Sequence, residues 1–155
     1  MGDITRATLG DFSSIVCFKA LVVGVEDTLG AAAAAVALKG AGRKRGKQLA
    51  ESLGFGKKAM TVAEAAKAMR TALGPEGTKL CLVDSITEKD GAYRVALNDT
   101  VCSAGEPQGS TRELTFTLGA VHGAMEVLVQ KKLRAKQVGS VLRGQDADII
   151  ELTEL

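Results

Sequence analysis

Apolar side chains recur at helical spacing through the first half of the chain. From Ser13 or Ser14, either of which can cap it, this spacing predicts a first helix that Gly30 interrupts. A second helix, rich in alanine, is predicted from about Ala31 to Leu53. Glycine weakens a helix, so three glycines inside the second helix indicate either a break or close packing against another element. These are Gly40, Gly42 and Gly46.

A third helix and a hairpin follow. Thr61 and Glu64 form a capping box at the start of the helix, and a Gly-Pro-Glu-Gly stretch at residues 74–77 ends it. The period then changes to the alternation that is typical of strands, between about residues 80 and 101. Because Asp90-Gly91 is a turn sequence of two-residue hairpins, this stretch predicts two antiparallel strands.

The rest of the chain repeats the order of helix and hairpin. After a loop at residues 103–110, Thr111 is predicted to open a long fourth helix. Its apolar stripe contains Leu114, Leu118, Val121, Met125 and Leu128. Two strands, at about 133–142 and 147–153, are predicted to complete the chain.

This order predicts an α+β fold. Short connections make each hairpin antiparallel, and helices segregated from such a sheet are the mark of that class. With no repeat or linker in view, residues 1–155 are expected to form one domain, in which residues 1–12 are a loose lead-in.

Composition argues against several functional classes. Of 155 residues, 46% are hydrophobic and 25% are charged, as in ordinary globular domains. A net charge of +2 is too small to favour nucleic acid, and aromatic residues, at 3%, form no stacking platform beside basic ones. The longest uncharged stretch near the start, Thr28 to Leu38, is too short to cross a bilayer, so no transmembrane segment is predicted.

Basic residues concentrate at residues 39–58, where seven of them stand against Glu51 alone. Such a run is usually a solvated helix face. The alternative is that Arg43-Lys44-Arg45 holds a carboxylate or phosphate group. Consecutive helical residues point in different directions, and arginine meets a carboxylate with two parallel hydrogen bonds. Arg43 and Arg45 are therefore the candidates for that role.

The cysteines are Cys17, Cys81 and Cys102. Their odd number and wide spacing exclude a Cys-x-x-Cys motif and argue against a disulfide framework. A reducing compartment fits this pattern, and since no export signal is evident, we expect a cytoplasmic protein. Cys17 could carry an acyl chain, although a buried structural thiol is the expected state.

No catalytic constellation is evident. No serine lies in a Gly-x-Ser-x-Gly motif, one histidine and three scattered cysteines cannot build a usual zinc site, and no phosphate-binding loop is found. The single histidine, His122, could be an axial ligand to a tetrapyrrole metal, but a partly buried, hydrogen-bonded histidine is expected more often. The sequence thus favours a binding module over an enzyme and predicts no metal site.

Two segments resemble the 4-vinyl reductase (4VR) or hydrocarbon-binding domain family. The first matches that family's AGR-x-x-G-x-x-LA helix through Ala41-Gly42-Arg43, Gly46 and Leu49-Ala50. The second, Gly119 to Glu126, resembles its G-x-x-x-G helix, and Gly144 matches the glycine of the last turn. The resemblance covers about residues 15–153.

The resemblance implies a fold shared with core subunits of the TRAPP tethering complex and with haem-type nitric-oxide-signalling domains. In that fold, helices pack on one side of a four-stranded antiparallel sheet, and dimers are frequent. A cavity among the helices is implied to accept an apolar or tetrapyrrole-like ligand, and some members accompany chlorophyll synthesis, which implies an association with photosynthesis.

This chain departs from the family in its last hairpin. Members often carry a glutamate and two cysteines there, suggestive of a metal site, whereas the corresponding positions are Gln137, Ser140 and Asp148. No residue resembles a hydride or proton donor for vinyl reduction. A shorter stretch, residues 20–32, resembles the opening of bacterial microcompartment shell proteins, but the downstream elements do not fit.

The leading hypothesis is non-enzymatic binding of an apolar or tetrapyrrole-like small molecule in a helical cavity. The expected ligand-binding residues are Arg43, Arg45, Leu118, Val121, His122 and Met125. The alternative is an assembly factor or adaptor whose core is closed. Because residues 15–38 are apolar or small nearly all round, a homodimer is also predicted.

Overall fold

The structure, a computed structural model, describes residues 5–155. Its helices are α1 (Ile15–Leu29), α2 (Ala31–Ser52), α3 (Val62–Leu73) and α4 (Phe116–Val129). Its strands are β1 (Leu82–Lys89), β2 (Ala92–Asn98), β3 (Leu133–Gly139) and β4 (Asp148–Glu154), and a 3-10 turn lies at Val141–Arg143. The first four residues of the expected lead-in 1–12 lie outside the described part, and residues 5–12 contain neither helix nor strand. Within residues 5–155, no helix combines the length and apolar character needed to cross a bilayer.

The four strands form one antiparallel sheet in the order β1-β2-β4-β3. Asp90 and Gly91, with φ of 51° and 76°, make the predicted two-residue turn between β1 and β2. Alternate residues of the strands, such as Val95 and Leu97, are fully buried in one core with side chains of α3 and α4. The predicted α+β fold, with helices packed on one side of a four-stranded sheet, is confirmed.

The helices form successive layers above that sheet. Helix α3 packs on β1 and α4 on β3, while α2 covers α4 and α1 packs on α2. Eleven of the fourteen residues of α4 are buried, because the sheet lies below it and α2 above it. By contrast, only Val22 of the fifteen residues of α1 is buried. Within the described chain, side chains are therefore tightly packed next to the sheet, whereas most side chains of the outermost helix, α1, are not buried.

Glycines set the contact between α2 and α4. A Cβ atom on Gly46 would overlap the carbonyl oxygen of Ala120, and one on Gly123 would overlap that of Arg43. Gly42 and Gly119 meet the opposite backbone in the same way. Close packing thus explains Gly42 and Gly46, without a break in the helix. Gly40 is exposed, and nothing lies within 4 Å of the place that its Cβ would take.

Helix α4 begins at Phe116, five residues after the predicted start at Thr111. The amide of Leu114 donates to Oε1 of Gln137 at 2.7 Å, and the amide of Thr115 donates to Sγ of Cys102 at 3.5 Å. These long-range partners satisfy the backbone outside a helix, so Leu114 of the apolar stripe is buried before the helix starts.

Strand β3 ends at Gly139, earlier than the predicted residue 142. The strand register shifts between Gln137 and Gly139, and Ser140 then accepts a hydrogen bond from the amide of Leu142 at 3.1 Å. This side-chain cap opens the 3-10 turn, which Gly144 closes in the left-handed conformation at φ 84°.

Candidate functional site

The expected ligand-binding residues fall into three environments. Leu118, Val121 and Met125 lie on α4, where they are 3%, 0% and 0% exposed and pack within the main core. Arg43 on α2 and His122 on α4 lie together at the edge of this core. The basic trio does not converge, because Arg45 is exposed and, within residues 5–155, makes no hydrogen bond or ion pair.

Arg43 and His122 are joined by Glu126, a residue that sequence reasoning missed. The Arg43 guanidinium donates from Nε to Oε2 of Glu126 at 3.0 Å and from Nη2 to Oε1 at 2.7 Å. Nζ of Lys47 lies 2.9 Å from Oε2, and the amide of Leu133 donates to Oε1 at 3.0 Å. We call these residues, Arg43, Lys47, His122, Glu126 and the Leu133 backbone, the Glu126 cluster.

The charge of Glu126 is strongly stabilised. Burial, which leaves its side chain 5% exposed, would by itself raise the carboxyl pKa. Hydrogen bonds from Arg43, the Leu133 amide and Lys47 outweigh that effect and lower the pKa to about 2. Glu126 is therefore ionised throughout the neutral range and is no general acid. A signal was available in the sequence, since Glu126 is the only acidic or basic residue of the otherwise apolar α4, apart from His122.

His122 has the environment of a structural histidine. Its Nε2 donates to the carbonyl oxygen of Leu133 at 2.7 Å and lies 3.5 Å from Oε1 of Glu126. Burial lowers the pKa of His122 below 6.5, although the Leu133 carbonyl opposes that shift. The imidazole is consequently neutral at pH 7, and metal ligation through Nε2 would break its contact with the backbone.

Two surface grooves lie near these elements. One, of about 250 Å³, opens beside the Glu126 cluster and is lined by Lys47, Glu51, Glu126, Val127, Gln130, Lys131 and Lys132. The other, of about 690 Å³, runs along β3 and is lined by Thr111, Glu113, Lys136, Gln137, Val138, Gly139, Ser140, Arg143 and Gln145. Neither groove reaches Leu118, Val121 or Met125.

Gln137, Ser140 and Asp148, the positions where the 4VR family often has a glutamate and cysteines, are engaged within the protein. Asp148 is 1% exposed and accepts hydrogen bonds from Thr100 at 2.7 Å, from Ser103 at 2.8 Å and from the Val141 amide at 3.1 Å. These contacts fasten the loop after β2 to the last hairpin. Among residues 5–155, no three histidine, cysteine or acidic side chains are grouped as metal ligands.

Thr117 is a second residue that the sequence analysis overlooked. It lies one turn before Val121 on α4 and is 0% exposed, yet its hydroxyl has no hydrogen-bond partner in the described part of the chain. A threonine in a helix shows no sequence signal of this kind, because the missing partner is a property of the tertiary packing.

The cysteines differ from expectation at one position. Cys81 and Cys102 are buried, and burial raises the pKa of the Cys81 thiol to about 12. Cys17, for which a buried structural thiol was expected, is exposed, because it lies on the outer side of α1.

No protein-family model matches the chain, and no curated protein matches it. Among solved structures, the phenol-responsive sensory domain of the transcription activator PoxR with phenol is 17% identical, at a TM-score of 0.58 over 94% of this chain and 77% of that one. Trafficking protein particle complex subunit 3 from Naegleria fowleri, covalently bound to palmitic acid, is 14% identical, at a TM-score of 0.51 over 92% of this chain and 97% of that one. The chain thus shares its fold with a small-molecule sensory domain and a TRAPP subunit, and membership of the 4VR family stays a prediction.

Proposed function

We propose that this chain is a non-enzymatic module that binds a small, mostly apolar molecule bearing one hydrogen-bonding group. The hydroxyl of Thr117 is the group that receives it, between the side chains of Leu118 and Val121. Support comes from the fold, since the two similar structures contain phenol and palmitic acid, both largely apolar with one polar end.

The observation that carries the proposal is the buried hydroxyl of Thr117, which has no hydrogen-bond partner within residues 5–155. A buried hydroxyl without a partner costs about 1–3 kcal/mol, and such groups are rare in folded proteins. Small-molecule sites combine apolar walls with a few polar groups that fix orientation. Thr117 fits that description, because Leu118, the next residue, and Val121, one helical turn further along α4, are apolar and also buried.

The size of the ligand follows from the packing. Since Leu118, Val121 and Met125 are closed over by the protein's own side chains, a ligand must open this part of the core to enter. A single ring requires a far smaller opening than a tetrapyrrole. A tetrapyrrole would also have to displace the Leu133 carbonyl from Nε2 of His122 if that atom were its axial ligand. The proposal is therefore a ligand of phenol size.

The test compares Thr117→Val with the wild-type chain in calorimetric titrations with phenol and with toluene. Loss of one hydrogen bond should weaken phenol binding about tenfold and leave toluene binding unchanged. Without ligand, Thr117→Val should be about 1 kcal/mol more stable, because an unpartnered buried hydroxyl is removed. Thr87→Val, at an exposed strand position, is the matched control and should change neither quantity.

Two results would contradict the proposal. One is that the wild-type chain binds neither phenol nor toluene at millimolar concentration. The other is that Thr117→Val binds phenol as well as the wild type does, which would remove the hydroxyl from the site.

A second candidate function, the adaptor, is favoured by a different observation. The core is filled, while large apolar side chains are exposed on α1 and the start of α2. An adaptor would bind protein through that surface and would show no affinity for small apolar molecules. The phenol and toluene titrations therefore separate the two functions.

A further inference from the structure

Strand β3 forms one edge of the sheet, because β4 is its only neighbour among the described strands. Along an antiparallel ladder, hydrogen-bonded residue pairs alternate with pairs that are not bonded. The Leu155 amide donates to the Lys132 carbonyl at 3.0 Å, so the backbone groups of Lys132 and of every second residue after it point toward β4. Those of Leu133, Ala135 and Gln137 therefore point toward the open edge.

The first of these edge residues is already bonded to the protein. The Leu133 amide donates to Oε1 of Glu126 at 3.0 Å, and the Leu133 carbonyl accepts from Nε2 of His122 at 2.7 Å. Within residues 5–155, the amides and carbonyls of Ala135 and Gln137 have no comparable partner. An unpaired strand edge of this kind is a site where an extended chain can add a strand.

A groove gives access to this part of the edge. It is lined by residues 136–140 together with Thr111 and Glu113, from the segment before α4, and with Arg143. Its volume of about 690 Å³ lies within the range of roughly 300–1,000 Å³ that is usual for binding sites. Lys136 and Arg143 are the basic side chains of the groove, and Glu113 is the acidic one. An added chain thus has room beside β3.

The charge of β3 and its lead-in specifies which kind of chain fits. Lys132, Arg134 and Lys136 are exposed and stand at alternate positions, so they lie on one face of the strand. None of the three forms an ion pair within residues 5–155. Glu151 is opposite Lys136 in the ladder, but its carboxylate pairs with Arg94 at 4.0 Å. Acidic residues at alternate positions of a neighbouring strand would lie beside these three cations.

We propose that the β3 edge binds an extended acidic segment of another protein, which adds a fifth strand to the sheet. The backbone of this segment pairs with the amides and carbonyls of Ala135 and Gln137. Its acidic residues, at every second position, lie beside Lys132, Arg134 and Lys136. A second β3 strand is disfavoured as the occupant, because its basic residues would meet the same three cations. The inference goes beyond the proposed ligand function and does not depend on it.

The first experiment measures binding of the full chain to short fluorescein-labelled peptides that alternate valine with glutamate, glutamine or lysine. Fluorescence anisotropy should show that the glutamate peptide binds at micromolar concentration. The glutamine peptide should bind at least tenfold more weakly, and the lysine peptide should not bind. Binding of the glutamate peptide should also weaken as the salt concentration rises, because salt screens exposed charges.

Two N-methylated forms of the glutamate peptide test the backbone pairing. In one form the valines are N-methylated, and in the other form the glutamates are. In a paired strand, successive amides point alternately toward and away from the neighbouring strand. One form should therefore lose binding, whereas the other should bind about as well as the unmodified peptide.

A triple variant tests the site on the protein. The combination of Lys132→Gln, Arg134→Gln and Lys136→Gln should weaken binding of the glutamate peptide at least tenfold. The matched control removes the same charge at exposed lysines on α2, α3 and β1, away from the β3 edge, and should bind like the wild type. Its substitutions are Lys44→Gln, Lys67→Gln and Lys89→Gln. Far-UV circular dichroism should be the same for all three proteins.

Three results would overturn the inference. If the wild type did not bind the glutamate peptide at 500 µM, the cations of β3 would only protect the edge against pairing. Equal binding of the two N-methylated peptides would mean that charge alone holds the peptide. Full binding by the triple variant would place the peptide on another surface. None of these results bears on phenol binding by Thr117, so failure of this inference is distinguishable from failure of the ligand function.

Discussion

Single residues carry the chemistry of this fold, and Glu126 is the most consequential of them. Its carboxylate lies at the junction of α2, α4 and β3 and is bonded to Arg43, Lys47 and the Leu133 amide. Removing one partner of such a buried pair leaves an uncompensated charge, which costs more than the pair itself contributes. The Arg43 guanidinium is thus paired within the protein. A ligand could bind to Arg43 only if the pair with Glu126 stays intact.

We expect stability to fall as pH drops from 4.5 to about 2, because the Glu126 pKa is about 2 in the folded chain and about 4.5 when unfolded. A lowered carboxyl pKa stabilises the folded chain above 4.5, and that contribution is lost as Glu126 is protonated. The difference between the two pKa values corresponds to about 3 kcal/mol of unfolding free energy at most. It is an upper limit because the side chains of Arg43 and Lys47 are each more than a third exposed, so that solvent screens their charges. Urea unfolding across this pH range measures it.

Glu126→Gln should flatten this part of the pH profile, whereas Glu151→Gln, at an exposed pair 4.0 Å from Arg94, should leave it unchanged. His122 adds a separate loss that begins below pH 6.5, because burial lowers its pKa. If Glu126→Gln retained the full loss between pH 4.5 and 2, the stabilising role of this carboxylate would be wrong.

At the scale of elements, the contact of α2 with α4 depends on four glycines. Gly46→Ala should destabilise the chain by about 2 kcal/mol or more, since its Cβ would overlap the Ala120 carbonyl and force the helices apart. Gly40→Ala is the control, because Gly40 is exposed with nothing within 4 Å and should gain about 0.5–1 kcal/mol of helix stability. Thermal unfolding of both variants measures the difference. A Gly46→Ala chain as stable as the wild type would mean that the two helices can separate freely.

Local signals predicted most of the elements. Ser14 caps α1, the Thr61–Glu64 capping box opens α3, and Asp90-Gly91 makes its turn, because each signal is satisfied within a few residues of itself. The predicted start of α4, at Thr111, and the predicted end of β3, at residue 142, were wrong. Those boundaries are set by partners distant in sequence, such as Gln137 for the Leu114 amide.

The candidate site was less predictable for the same reason. The sequence indicated Arg43 and His122 as candidates. It did not indicate that Arg43 pairs with Glu126, because the two residues are 83 positions apart in the chain. That the Thr117 hydroxyl has no hydrogen-bond partner among residues 5–155 is a property of tertiary packing, which the sequence does not show. The exposure of Cys17 follows from the single-sided packing of α1, which an apolar sequence alone does not indicate.

At the scale of the whole molecule, packing decreases outward from the sheet. The sheet and α4 share one continuous core, and α2 is joined to α4 through glycines and the Glu126 cluster. Helix α1 is attached by a small apolar cluster, an edge-to-face contact of Phe18 with Phe116 at 5.2 Å, and ion pairs to the loop before α4. Local opening should therefore begin at α1.

Amide hydrogen exchange should follow these layers. Amides of α1 should exchange through an opening at least roughly 2 kcal/mol easier than that of α4. The reason is that α1 has one buried residue whereas α4 has eleven, so little buried apolar surface becomes exposed when α1 detaches. Exchange measured by mass spectrometry at low micromolar concentration tests this ordering. Equal protection of α1 and α4 would mean that the described chain opens as a single unit, with α1 as firmly held as the core.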